Sequence, residues 1–214
     1  RADFGMRIFN ADGSEGAMCG NGIRCLGKYV YDKGLTRKTS LLTVETASGV
    51  RYLELFLRDG RVHAVLVDMG RPALSPPVKL TAAGRTWQAV PVSVGNPHAV
   101  VFCGGVDALD LARIGPALEY HPAFPDRVNV EFVQSDDRGG LKVRVWERGS
   151  GETLACGTGC GSVTCVLWAL GELPGKHLIT EVRGGKLEYH IQGSDHVKEL
   201  IMDGPTEILK IYEV

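Results

Sequence analysis

The chain has 214 residues, 44% of them hydrophobic, and 24 Lys and Arg stand against 25 Asp and Glu for a net charge of −1. That is enough to bury one large core or two modest ones, and balanced charge without a single-sign block excludes an electrostatic footprint for nucleic acid or an anionic membrane. The longest apolar runs, Cys165 to Leu170 and Ala99 to Cys103, are too short to span a bilayer, and six cysteines in a chain of this size fit a reducing cytosol better than a disulfide scaffold.

In chain order, Met6 to Asn10 predicts a short strand that delivers Asn10 to the Asp12-Gly13-Ser14 turn. From Cys19 to Lys33, Ile23, Leu26 and Val30 recur at helical steps, with Gly34 as the left-handed cap, so a helix headed by Cys19 is expected. Thr39 to Ala47, Val50 to Arg58 and Arg61 to Met69 predict strands, the last two joined through Asp59-Gly60 as a hairpin. The Gly70 to Pro77 stretch is the linker candidate, which divides the chain into lobes at 1–70 and 71–204, with 205–214 returning to the first.

Gln88 to Val94 and His98 to Cys103 then predict strands. A helix capped by Asp107 is expected to run to about Glu119, disturbed by Gly115-Pro116. Val128 to Gln134 and Leu141 to Trp146 are further strands around the polar turn Ser135 to Gly140. The run from Cys156 to Leu173 is apolar on nearly every side, which predicts a helix buried inside its sheet. His177 to Val182, Lys186 to Ile191, Lys198 to Met202 and Glu207 to Tyr212 complete the strands, so the chain reads as an α+β pseudo-repeat.

One short pattern occurs once in each half: EGAMCGNG from Glu15 and ETLACGTG from Glu152. Each puts a cysteine in front of a Gly-x-Gly turn at the start of a predicted helix. There the unpaired N–H groups and the positive dipole end favour thiolate. Two thiols across a cleft suit removal of an α-proton from one face of an amino acid and its return to the other, because their unperturbed pKa, about 8.5, lets one be thiolate while the other stays thiol. Gly20-Asn21 and Gly157-Thr158 offer backbone N–H groups to a carboxylate, Glu147 suits a substrate ammonium, and Arg148 suits a second carboxylate.

Other readings stand beside these. Asn10, Asn96 and Asn129 serve equally well as turn or strand-end residues, and His98 as a strand histidine in a supporting role. Cys25, Cys103, Cys160 and Cys165 are expected in the core, and Glu15 and Glu152 as helix-start charges. Neither a zinc spacing, a dinucleotide fingerprint nor a P-loop occurs.

The stretches MRIFNADGSEGAMCGNGIRC, VGNPHAV, RVNVEFV and ERGSGETLACGTG resemble the diaminopimelate epimerase family, in the family's order and through nearly the whole chain. The resemblance implies two pseudo-symmetric halves, each a mainly antiparallel sheet wrapped around a central helix. It implies a cytoplasmic isomerase without cofactor or metal that converts LL-diaminopimelate to the meso form, with a homodimer as the expected assembly. Cys19 and Cys156 would be the acid/base pair, Gly20, Asn21, Gly157 and Thr158 would hold the α-carboxylate, and Glu147 the α-amino group. Asn10, Asn96, Asn129 and Arg148 would grip the far amino-acid end. Proline or hydroxyproline racemase is the nearest rival in the same fold, and a non-catalytic ligand-binding relative the second. Family members begin with a strand and a GNDF-type loop that this chain does not show, so an omitted segment before Arg1 is expected.

Overall fold

A computed structural model describes residues 2–135, 141–173, 175, 177–182, 185–192 and 199–205. The expected strand from Glu207 to Tyr212 and the turn at 136–140 lie outside the described residues.

The first half opens with three two-residue strands, β1 (Phe4–Gly5), β2 (Ile8–Phe9) and β3 (Glu15–Gly16), followed by helix α1 (Gly20–Asp32). Strands β4 (Leu42–Thr46), β5 (Gly49–Arg58) and β6 (Arg61–Asp68) follow. Asp59 (φ 52°) and Gly60 (φ 75°) are both left-handed at the β5–β6 turn, which is the backbone the Asp-Gly pair predicts. Helix α1 lays Ile23, Gly27 and Val30 against this sheet. The glycine makes the approach close: a Cβ there would stand 3.0 Å from Leu53 Cδ2 and 3.1 Å from Leu55 Cδ2, so both side chains would have to give.

Next come β7 (Ala73–Leu74), β8 (Val78–Ala82), β9 (Arg85–Ser93) and β10 (Pro97–Phe102). β7 falls within the stretch expected as linker and pairs with β9; β8, unpredicted, forms a hairpin with β9 through left-handed Ala83 and Gly84. Helix α2 (Leu111–Glu119) is capped by Asp110, not Asp107. Gly105 at φ 69° turns Val106–Ala108 into a separate 3₁₀ turn, and Leu109 is extended before the helix begins. Gly115 has a packing reason, since a Cβ there would overlap the Trp146 ring.

The remaining elements are β11 (Asn129–Ser135), β12 (Leu141–Glu147), β13 (Gly151–Thr153), α3 (Gly157–Ala169), β14 (His177–Val182), β15 (Gly185–Gln192) and β16 (Glu199–Pro205). They make an α+β fold around two seven-stranded sheets, mainly antiparallel as expected. One runs β1-β4-β5-β6-β16-β15-β14; the other runs β13-β12-β11-β10-β9-β7, with β8 also on β9. Only β1–β4 and β10–β11 are parallel among the described pairs. The antiparallel β6–β16 pairing makes the first sheet continuous from the early strands to the last ones.

Strands β10 and β11 are buried on both faces. Ala99, Val101, Val130 and Phe132 enter a core with α2, while Val100 and Val133 enter the larger core that holds α1 and α3. Period-two alternation therefore puts His98, Asn129 and Glu131 on the face that looks at α3. Every residue of α3 from Gly157 to Leu167 is buried, as its all-round apolar sequence predicts.

Candidate active site

The two helices begin alike. Cys19 caps α1 with φ −137° and ψ 114°, and Cys156 caps α3 with φ −121° and ψ 111°. Each sulfur accepts the backbone N–H three residues on, Gly22 or Gly159, at 3.3 Å. A cysteine here takes the place of the usual serine or threonine N-cap. The strand pairs ahead of each cap also correspond. Arg7 holds Glu15 across β2–β3 at 2.9 Å, and Arg144 holds Glu152 across β12–β13 at 2.8 Å. Glu15 and Glu152 are thus hairpin clamps, and not the helix-start charges expected of them: neither helix has an acid in its first turn.

The two helix starts meet end to end. A Cβ on Gly20 would lie 3.7 Å from Gly157 Cα and 2.8 Å from Met202 Cε, and one on Gly157 would lie 3.0 Å from Met202 Sδ. Glycine lets the two backbones close over the thioether that β16 inserts beneath them. Tyr189 on β15, fully buried, donates its hydroxyl to Gly157 O at 2.6 Å, and Arg24 Nη2 donates to Asn21 Oδ1 at 3.0 Å. Met202, Tyr189 and Arg24 were not legible as site residues, because each looks like an ordinary core or helix residue in its own segment.

Above this junction lies a cavity of about 280 Å³. Cys19, Gly20 and Asn21 line it from one side and Cys156, Gly157 and Thr158 from the other, with Asn10, Asn96 and Glu147 around them. Asn10 Nδ2 donates to Ser14 Oγ, and Glu147 accepts from Thr153 Oγ1. Three expected site residues lie off the lining. His98 is 1% exposed and bonded to Glu131 and Asn96. Asn129 Nδ2 donates to Pro97 O at 2.9 Å, and its Oδ1 accepts the Arg148 backbone N–H at 2.8 Å. The Arg148 guanidinium donates to Asp126 O at 2.8 Å. Cys160 and Cys165 are fully buried as expected, while Cys25 and Cys103 are half-buried.

Charge in the cavity is one-sided. Burial raises the Cys19 thiol above its ordinary value, the Glu147 carboxylate adds to the rise, and the Gly22 N–H only partly offsets it. Burial raises Cys156 further, helped by Glu147 and Glu131 and opposed by Thr158 and the Gly159 N–H. Burial also raises the Glu147 carboxyl itself. Helix-start geometry therefore does not by itself produce a thiolate in the ligand-free protein: desolvation outweighs the N–H bond.

His98, Glu131 and Cys156 offer three donor atoms within 4.8 Å of one another. His98 Nδ1 and Glu131 Oε1 are 2.7 Å apart, shorter than the roughly 3.3 Å between two ligands held about 2.0–2.1 Å from a tetrahedral zinc. They are a hydrogen-bonded pair as they stand.

The fold is shared with solved structures of distant sequence. A hydroxyproline epimerase from Agrobacterium vitis superposes with a TM-score of 0.72 at 18% identity, over 96% of this chain and 69% of that one. A PhzF-family phenazine biosynthesis protein from Bacillus anthracis gives 0.64 at 16% identity, over 95% and 78%. The diaminopimelate epimerase of Acetivibrio thermocellus is 45% identical over 100% of this chain and 79% of its own length. That of Methanococcus maripaludis is 44% identical over 95% and 77%. The family model for diaminopimelate epimerase matches residues 1–75 and 90–209, and the chain belongs to that family of isomerases.

Proposed function

We propose that the protein interconverts LL- and meso-diaminopimelate without a cofactor, using Cys19 and Cys156 as base and acid on opposite faces of one α-carbon. The observation that carries this reading is the pair of cysteine-capped helices, one from each half, opening on one cavity. The α-hydrogen leaves as a proton to one thiolate, its electron pair stays on carbon and spreads into the carboxylate, and the opposite thiol supplies a proton to the other face. The N–H groups of Gly20, Asn21, Gly157 and Thr158 hold that carboxylate and stabilise the charge as it develops.

Glu147 takes the substrate ammonium. Its charge is then neutralised beside both thiols, which removes one cause of their raised pKa values and lets one ionise with substrate bound. Asn10 and Asn96 grip the far amino-acid end, with Asn129 fixing the Arg148 backbone behind them. The site closes on substrate and excludes water. The same reading makes the protein a cytoplasmic homodimer; among the described residues no helix is long and apolar enough to cross a membrane.

Turnover of LL-diaminopimelate and of proline, by the parent and by Cys19→Ser and Cys156→Ser, tests this. Diaminopimelate turnover is expected to dominate and to fall at least about hundredfold in each variant. Faster proline turnover, or an undiminished variant, would overturn the reading.

A further inference from the structure

Glu131 is a charged residue in a strand otherwise buried on both faces, between Val130 and Phe132. Its side chain and that of His98 are both 0% exposed, with Oε1 and Nδ1 2.7 Å apart. Glu131 lies so close under the first turn of α3 that a Cβ on Gly159 would overlap its carboxyl. Its second oxygen has no hydrogen-bond partner among the described residues, so the carboxyl depends on His98 for its charge balance.

An isolated carboxylate or imidazolium at this depth would be costly, and the pair meets that cost with a hydrogen bond between Oε1 and Nδ1. Asn96 presents its Oδ1, which can only accept, to the other ring nitrogen, so Nε2 is the N–H donor. His98 Nε2 accordingly donates to Asn96 Oδ1 at 3.1 Å. With its oxygen so engaged, Asn96 turns Nδ2 to Thr158 Oγ1 at 3.1 Å. A Thr158 oxygen that accepts there has its own hydrogen free for the Cys156 sulfur, 3.4 Å away.

We infer that Glu131, acting through His98, Asn96 and Thr158, is a positioning residue that aims a hydroxyl donor at the Cys156 sulfur and so supports its thiolate. The inference deepens the proposed function, since it rests on Cys156 being one of the two acid/base thiols. The groups facing that sulfur are the Glu147 and Glu131 carboxyls, the His98 ring, the Thr158 hydroxyl, the Gly159 N–H and Tyr189. Among the described residues Cys19 has no such chain. The residue that corresponds to Thr158 is Asn21, whose oxygen is engaged by Arg24.

Cys19 is therefore an internal control. The experiment is the rate of iodoacetamide alkylation at each cysteine at fixed pH, read by peptide mass spectrometry on the reduced, ligand-free chain. Glu131→Leu removes the partner of His98 Nδ1 without offering a new donor and is expected to slow Cys156 alkylation about tenfold while leaving Cys19 unchanged, the size of one hydrogen bond to a charged group. Thr158→Val should give the same loss, and combining the two should add little, because both cut one chain. An unchanged rate in Glu131→Leu would overturn the inference. So would a faster rate, which would mean that Glu131 acts as a bare negative charge. Should that variant fail to fold, Asn96→Ala cuts the chain one link on and must show the same Cys156-selective loss. No substrate is used. A variant series that shows the loss in a protein inactive on diaminopimelate would overturn only the proposed reaction, whereas an active enzyme without the loss would overturn only the role of Glu131.

Discussion

The two helix starts share a backbone and differ in everything around it. Cys19 is half-buried, at the head of a helix that keeps a wet outer face; Cys156 is 5% exposed, at the head of a helix buried throughout its first eleven residues, Gly157 to Leu167. Asn10 holds in the first half the place that Glu147 holds in the second, a neutral amide against a carboxyl. The cap is a local property of a cysteine, two glycines and the preceding clamped hairpin, and it was duplicated. Thiol chemistry is set by what tertiary packing brings near the sulfur, and it was not. A symmetric motif has thereby become an asymmetric site with its acid on one side, as a substrate with one ammonium at the reacting carbon requires.

The sharpest way to break this comparison is at the junction of the two helices. Gly157→Ala would press a methyl on Met202 Sδ at 3.0 Å, and Gly20→Ala would press one on Met202 Cε at 2.8 Å and Sδ at 3.1 Å. Gly157→Ala is expected to lower kcat/KM about hundredfold through misplaced N–H groups. Gly20→Ala should cost about tenfold, since α1, with its wet outer face, shifts more easily than the fully buried start of α3. Steady-state kinetics on both variants checks this, and equal losses would mean that the two sides are held alike.

A smaller effect sharpens the contrast in burial. Burial pushes Cys160 and Cys165 on α3 up to about 12 from the ordinary 9.0. In the unfolded chain these thiols ionise first, so their contribution to stability is complete below pH 9 and is lost as pH rises toward 12. The Tm of the reduced, ligand-free protein should fall across that window, and Cys160→Ala with Cys165→Ala should flatten the fall whatever it does to the Tm at neutral pH. An unchanged slope would remove these thiols as its cause.

Both cysteine caps, both long helices, the Asp-Gly hairpin and most strands were legible in the sequence, because each rests on a local period or a turn residue. β8 and β13 were not: the first hides behind Pro76-Pro77, the second is three residues between glycine turns. The cap of α2 was misplaced because Asp107 and Asp110 carry the same signal, and only left-handed Gly105 separates the two turns. The β6–β16 pairing and the Met202 and Tyr189 contacts join residues distant in the chain, so no local pattern carries them. Glu131 did leave a trace. An acid in the middle of NVEFV needs a buried partner if that strand is covered on both faces, and His98 two residues from Asn96 is that partner.

The central claim, that two sulfurs from different halves flank one carbon, is tested most directly by running the reaction in deuterium oxide from LL-diaminopimelate and following the label at early times. Two opposed thiols predict that the meso product carries one solvent deuterium at the inverted centre while the recovered starting material remains unlabelled. Product that retains the original α-hydrogen would mean that one group takes and returns the same proton, and would contradict the account.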